Sequence, residues 1–212
     1  MTKRVITRAL HLRYMPSARI DERVSVVDSG LGNFFICAYE GGLVAFDTGY
    51  RAGVAKSGMA SLGLDPAAVT HVFLTHTDFD HVGGLPAFPH AHVYISEDEE
   101  PLVAGKRLPR LYGIYRNHRL KAYTLLADGQ AVQVGAMRVQ AIKTPGHTIG
   151  SMCYLVDGDT LFSGDTLAPR NGRLGPNLQF YTDIIALWKS YAKLERHVEC
   201  KRLFTSHWGA FS

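Results

Sequence analysis

Little in this chain supports a cross-linked, membrane-bound or nucleic-acid-binding protein. Cysteine is scarce and odd in number: Cys37, Cys153 and Cys200 are the only three. Two of them fall in strand-like runs, Phe34 to Tyr39 and Met152 to Val156, so buried free thiols are expected and a disulfide framework is not. No apolar run approaches the roughly 20 residues of a membrane span. Met1 to Met15 alternates basic and apolar residues without the uninterrupted apolar core of a signal peptide, which makes the cytoplasm the expected location. Large net charge is also missing. The formal value of +4 admits a small, even anionic, substrate, but no arginine-rich tract with interleaved aromatics is long enough to hold nucleic acid. Nucleic acid and membrane are therefore not expected as partners, while a homodimer is compatible with the composition. With 46% hydrophobic and 20% charged residues over 212 positions, disorder is not indicated, and one domain spanning residues 1–212 is expected.

What is present is chemistry at the ends of apolar runs. Val72-Phe73-Leu74 reads as a buried strand and leads into Thr75 to Gly84, a stretch carrying His76, Asp78, Asp80 and His81 before Gly83-Gly84. His76, Asp78 and Asp80 alternate, whereas His81 breaks the alternation, so one turn could feed two metal ions. Three further fragments repeat the theme: Thr144-Pro145-Gly146-His147-Thr148, Ser163-Gly164-Asp165-Thr166 and Thr205-Ser206-His207-Trp208-Gly209. Any one His or Asp at a strand end is ordinarily a solvated polar group. Four such fragments in order argue for a shared site.

In these motifs, from about Val24 to His207, the chain resembles the metallo-β-lactamase fold superfamily of metallohydrolases and related oxidoreductases. That family's His-x-His-x-Asp-His pattern falls on His76, Asp78, Asp80 and His81, with His147, Asp165 and His207 matching its later positions. The resemblance implies that His76, Asp78 and His147 hold one divalent ion, that Asp80, His81 and His207 hold a second, and that Asp165 bridges them. It also implies that Asp47 supports the metal loop from behind. Zinc is the family habit. Asp78 stands where most hydrolases of the group have a second His, and oxygen-rich sets with open positions suit iron(II) or manganese as well.

The implied activity is hydrolysis of an ester, lactone, thioester or amide-like carbonyl by a metal-bridging hydroxide, with Asp80 as the catalytic proton carrier and Tyr112, Tyr115 and Tyr181 as candidate oxyanion or substrate contacts. The alternative is a non-haem di-iron oxidoreductase handling oxygen or nitric oxide with a separate electron donor, because flavodiiron proteins of this superfamily carry a carboxylate at the position of Asp78. The β-lactamases of class B, which usually have Cys where Asp165 stands, resemble the chain less.

Periodicity predicts a meander of strands at Val24 to Val27, Asn33 to Tyr39 and Leu43 to Asp47, a helix over Arg51 to Leu62, a short helix from Asp65-Pro66, and a strand at His92 to Ile95. The acidic Glu97 to Glu100 reads as a solvated face opening a helix near Pro101. Residues 105–121 are basic and aromatic; the family resemblance implies a lid-like insertion there. Further strands follow at Tyr123 to Leu126, Ala131 to Val134, Met137 to Lys143, Ser151 to Val156 and Thr160 to Phe162. Asp183 to Arg196 then reads as an amphipathic helix burying Ile184, Ile185, Leu187, Trp188, Tyr191 and Leu194, before a last strand at Leu203-Phe204. Strands with flanking helices give a layered α+β fold; the family resemblance sharpens this to a four-layer αββα sandwich.

Overall fold

Strand pairing builds two large sheets in this computed structural model, which describes residues 13–104, 120, 122–170, 173–197 and 200–211. The first sheet runs in chain order through β1 (Ala18–Arg19), β2 (Val24–Asp28), β3 (Asn33–Tyr39), β4 (Gly42–Phe46), β5 (Val69–Phe73), β6 (His92–Ser96) and β7 (Thr124–Leu126). Its first four strands are antiparallel. From β4 onward the pairing is parallel, which requires crossovers. These contain α1 (Ala52–Ala60), α2 (Phe79–Val82) and α3 (Glu100–Val103).

The second sheet begins with β8 (Ala131–Val134), β9 (Met137–Lys143), β10 (Met152–Val156) and β11 (Thr160–Phe162). A separate hairpin, β12 (Leu167–Arg170) and β13 (Arg173–Pro176), and helix α4 (Ile184–Leu194) precede β14 (Arg202–Thr205) and β15 (Gly209–Phe211). The spatial order is β15-β14-β11-β10-β9-β8.

Alternation along the strands explains the layering. On β3, Phe35 and Cys37 face the core between the sheets with Phe46, Phe73, Tyr154, Phe162 and Phe204. Phe34 and Ile36 face the other way, onto Ala55 and Met59 of α1 and Val82 of α2. On the second sheet Cys153 and Leu155 turn outward to Leu194 of α4. Both faces of each sheet are thus covered, and the fold is the αββα sandwich. At its centre the Phe46 and Phe162 rings stack 4.0 Å apart, each such burial contributing about 1.5–3 kcal/mol.

Several expectations change. Leu203-Phe204 is not the last strand, because β15 follows and folds back on β14; His207 lies in the turn between them. The β12–β13 hairpin has no strong sequence signal. Helix α4 buries Leu187, Ser190 and Leu194, whereas Ile185 and Trp188 are 66% and 45% exposed: the stripe is narrower than the six apolar residues suggested. Glu99 is only 1% exposed, so the acidic run is not a uniformly solvated face. The lid-like insertion, at 105–119 and 121, lies outside the described residues. Cys37 and Cys153 are buried free thiols, and burial pushes them up to about 12 and about 11, which leaves them inert. No helix among the described residues is long and apolar enough to cross a membrane.

Candidate metal centre

Five strand ends deliver the polar residues to one rim of the sandwich. Asp47 follows β4, His76 follows β5, His147 follows β9, Asp165 follows β11 and His207 follows β14. The turn after β5 is drawn tightly against the turn after β4. A Cβ on Gly84 would sit 1.9 Å from the Thr48 carbonyl oxygen and one on Gly83 2.1 Å from that of Tyr50, so only glycine allows this approach. Helix α2 therefore starts immediately after Asp78 and carries Asp80 and His81 inward.

The convergence is close. His76 Nε2 and His147 Nε2 are 3.1 Å apart, and Asp78 Oδ2 lies 3.5 Å from the first and 3.4 Å from the second. Beside this triangle, Asp80 Oδ2 stands 3.8 Å from His81 Nε2 and 3.5 Å from His207 Nε2. Asp165 lies between the two groups: Oδ1 is 3.5 Å from His81, and Oδ2 is 3.6 Å from His147 and 3.1 Å from His207. Ligand atoms bound at about 2.0–2.1 Å to one tetrahedral ion stand about 3.3 Å apart, and these separations cluster around that value. Asp165 Oδ1, fully enclosed, has no hydrogen-bond partner among the described residues. An unpartnered buried carboxylate oxygen facing imidazole nitrogens suits a cation, so the donor set fits a metal pair.

Three of the four imidazoles are oriented from behind. His147 donates from Nδ1 to the Phe180 carbonyl at 2.7 Å, and His81 donates from Nδ1 to Asp47 Oδ2 at 2.8 Å. The Thr75 hydroxyl donates to Asp47 and so accepts from His76 Nδ1 at 3.0 Å. Each bond leaves Nε2 unprotonated in the neutral ring and directed inward, the form a metal needs. Asp47 does this from a left-handed backbone conformation, φ 61°, a strained state for a non-glycine residue that recurs at functional sites.

Charge is concentrated here. Burial works against ionised Asp165, but the His207, His81 and His147 imidazoles outweigh it and hold the carboxyl well below the usual range. Burial likewise opposes charge on Asp78, and His76 and His147 hold it well below its ordinary value. Conversely, burial disfavours protonated His81, yet Asp47, Asp165 and Asp80 raise it well above the ordinary imidazole. His207 is raised too, against burial, chiefly by Asp165. The carboxylates thus favour protons on His81 and His207, and the imidazoles keep Asp78 and Asp165 ionised, where cations would otherwise sit.

All seven residues singled out in the sequence meet here. Tyr181 is 46% exposed beside Phe180, with no described contact to the cluster; Tyr112 and Tyr115 lie outside the described residues. Among the remaining histidines, His71 stacks on Tyr94 and His92 bonds Thr124, away from the cluster. Three groups escaped sequence reading: Glu99, the Phe180 carbonyl, and Asn177, whose amide donates to the Asp165 carbonyl at 3.0 Å. A backbone acceptor and a partner far away in sequence leave no local signature.

Fold and site agree with one class of protein: the chain belongs to the metallo-beta-lactamase superfamily, whose family model matches residues 19–207. YobT, an uncharacterized protein of Bacillus subtilis, is 38% identical over 48% of this chain and 48% of its own length. The "Probable polyketide biosynthesis zinc-dependent hydrolase BaeB" of Bacillus velezensis is 31% identical over 58% of this chain and 49% of its own. The chain therefore matches about half the length of these curated relatives. Among solved structures, Rm3 metallo-beta-lactamase superposes with a TM-score of 0.75 at 20% identity, covering 95% of this chain and 81% of that one. That likeness shows the shared fold that the sequence led us to expect.

Proposed function

We propose that this protein is a dinuclear metallohydrolase cleaving an ester, lactone, thioester or amide-like carbonyl. The observation that carries the reading is the buried triangle of His76, Asp78 and His147 beside Asp80, His81 and His207, with Asp165 reaching both. His76, Asp78 and His147 would hold one ion, Asp80, His81 and His207 the other, and Asp165 would bridge. Bound divalent ions supply Lewis acidity and an activated water near neutral pH; zinc is supported by the description of BaeB.

The protein's own groups do the rest. Asp165, at 5% side-chain exposure, is shut away from solvent, whereas Asp80 is the most open of the three carboxylates at 18%. Asp80 is thus placed to take up a proton at Oδ1, the oxygen not turned to His81 and His207, and return it to the leaving atom. Asp78 adds a negative charge where an imidazole would be neutral, so the centre is less electrophilic than an all-histidine counterpart and favours substrates with good leaving groups, such as thioesters. The test is elemental analysis of protein purified without added metal, followed by an ester, lactone and thioester panel. Two equivalents of zinc with turnover support the reading. Bound iron with redox-dependent absorbance and oxygen consumption would replace it with the di-iron oxidoreductase that Asp78 also suits.

A further inference from the structure

Outside the ligands themselves, the group with the most demanding surroundings is Glu99. It occupies the position preceding α3 but does not cap that helix with its side chain. Instead the carboxylate turns inward and is buried. Oε2 accepts from the Thr77 backbone N–H at 2.9 Å and from the Thr77 hydroxyl at 2.5 Å. Oε1 accepts from the Thr148 hydroxyl at 2.6 Å and from the Gly150 N–H at 3.1 Å. Thr77 lies between His76 and Asp78, and Thr148 directly follows His147. One carboxylate therefore ties together the two turns that carry the three members of a single metal triangle, turns 71 residues apart in sequence.

The other half of the cluster is held differently. His81 is braced by Asp47 and shares no bond with Glu99. Building on the dinuclear reading above, we propose that Glu99 is a positioning residue that sets the affinity of the His76–Asp78–His147 site selectively, by fixing the separation of its two turns. The chemistry explains why glutamate stands there. Each oxygen meets one obligate backbone donor, Thr77 N–H on one side and Gly150 N–H on the other, so both must accept. Glutamine would present its NH2 to one of the two turns, donor against donor, and release it. Aspartate is one methylene too short to reach both.

The experiment measures metal content and chelator competition on the whole protein, comparing wild type with Glu99→Gln. Val156→Ala, a core truncation at the far end of β10, controls for lost stability. Wild type should bind two ions. Glu99→Gln should keep one at wild-type affinity and bind the other about 10–100-fold more weakly, the usual effect of losing an outer support. Val156→Ala should keep both. Adding His207→Ala to Glu99→Gln should remove the remaining tight ion; adding His76→Ala should not. Should Glu99→Gln fail to fold, Thr148→Val removes one donor to the same carboxylate and should show the same selectivity at smaller size. Equal weakening of both ions, or unchanged affinity for both, overturns the role of Glu99 and leaves the dinuclear reading intact. A wild type holding fewer than two ions overturns the dinuclear reading itself, and the inference with it.

Discussion

Two buried carboxylates stand behind the cluster of candidate ligands, and they work by different means. Asp47 touches a ligand directly, bonding His81 Nδ1 and also the Thr75 N–H at 2.8 Å; its backbone is strained to do so. Glu99 touches no ligand ring and joins two loops from regular backbone, φ −80°. The first fixes the direction of an imidazole across two adjacent corners of the first sheet. The second fixes a distance between segments remote in sequence. The difference teaches that Asp47 acts within the first sheet, at the β4–β5 corner, whereas Glu99 acts between the sheets, although each half also takes a histidine from the second sheet, His147 or His207.

The largest effect should come from the ligands the two halves share or depend on. Asp165→Ala should abolish tight binding of both ions together with hydrolysis, His76→Ala should remove one ion and hydrolysis with it, and two ions retained by either variant, read by elemental analysis, would break the comparison at its root. Next, Asp47→Ala should weaken metal binding by about 10–100-fold, preferentially at the Asp80–His81–His207 side, the mirror image of Glu99→Gln. Loss of the other ion instead would mean that the two supports have been assigned to the wrong halves.

Smaller effects sharpen the His147 side. Leu187, fully buried, lies under Gly146, where an added Cβ would come within 2.5 Å of the Leu187 backbone. Leu187→Ala should cost about 2–5 kcal/mol in denaturant unfolding, against less than about 0.5 kcal/mol for Ile185→Ala on the exposed face.

The smallest expected effect is on pH. In metal-free protein His81 and His207 are raised by their carboxylate neighbours, so their contribution to stability is complete below the ordinary imidazole value of about 6.5 and fades as pH rises through the raised values. Metal affinity should move the opposite way, strengthening with pH as these protons leave. Thermal melts of metal-free protein and metal titrations across pH 6 to 9, on the order of that span, check both signs.

Much of this was legible in the sequence because local patterns carry it. The strands at Asn33 to Tyr39, Ala131 to Val134 and Met137 to Lys143 coincide with β3, β8 and β9, since each is a short β-branched or aromatic run bounded by turn residues. The seven polar residues stood out because each follows such a run. What stayed hidden depends on tertiary contact. Glu99 sits in an acidic run indistinguishable from a solvated one until Thr77 and Thr148 close on it. Ile185 and Trp188 match the helical period of Leu187, yet the sheet covers only the narrower face of α4. The β12–β13 hairpin pairs Leu167 to Arg170 with Arg173 to Pro176, and a proline in each strand, Pro169 and Pro176, masks its strand character.

The most direct test of the account is anomalous diffraction from crystals of metal-loaded protein, collected at the metal absorption edge. The account predicts two peaks, one about 2.0–2.2 Å from His76 Nε2, His147 Nε2 and an Asp78 oxygen, the other similarly placed against Asp80, His81 and His207, with Asp165 between them. A single peak, or peaks away from these atoms, would contradict it.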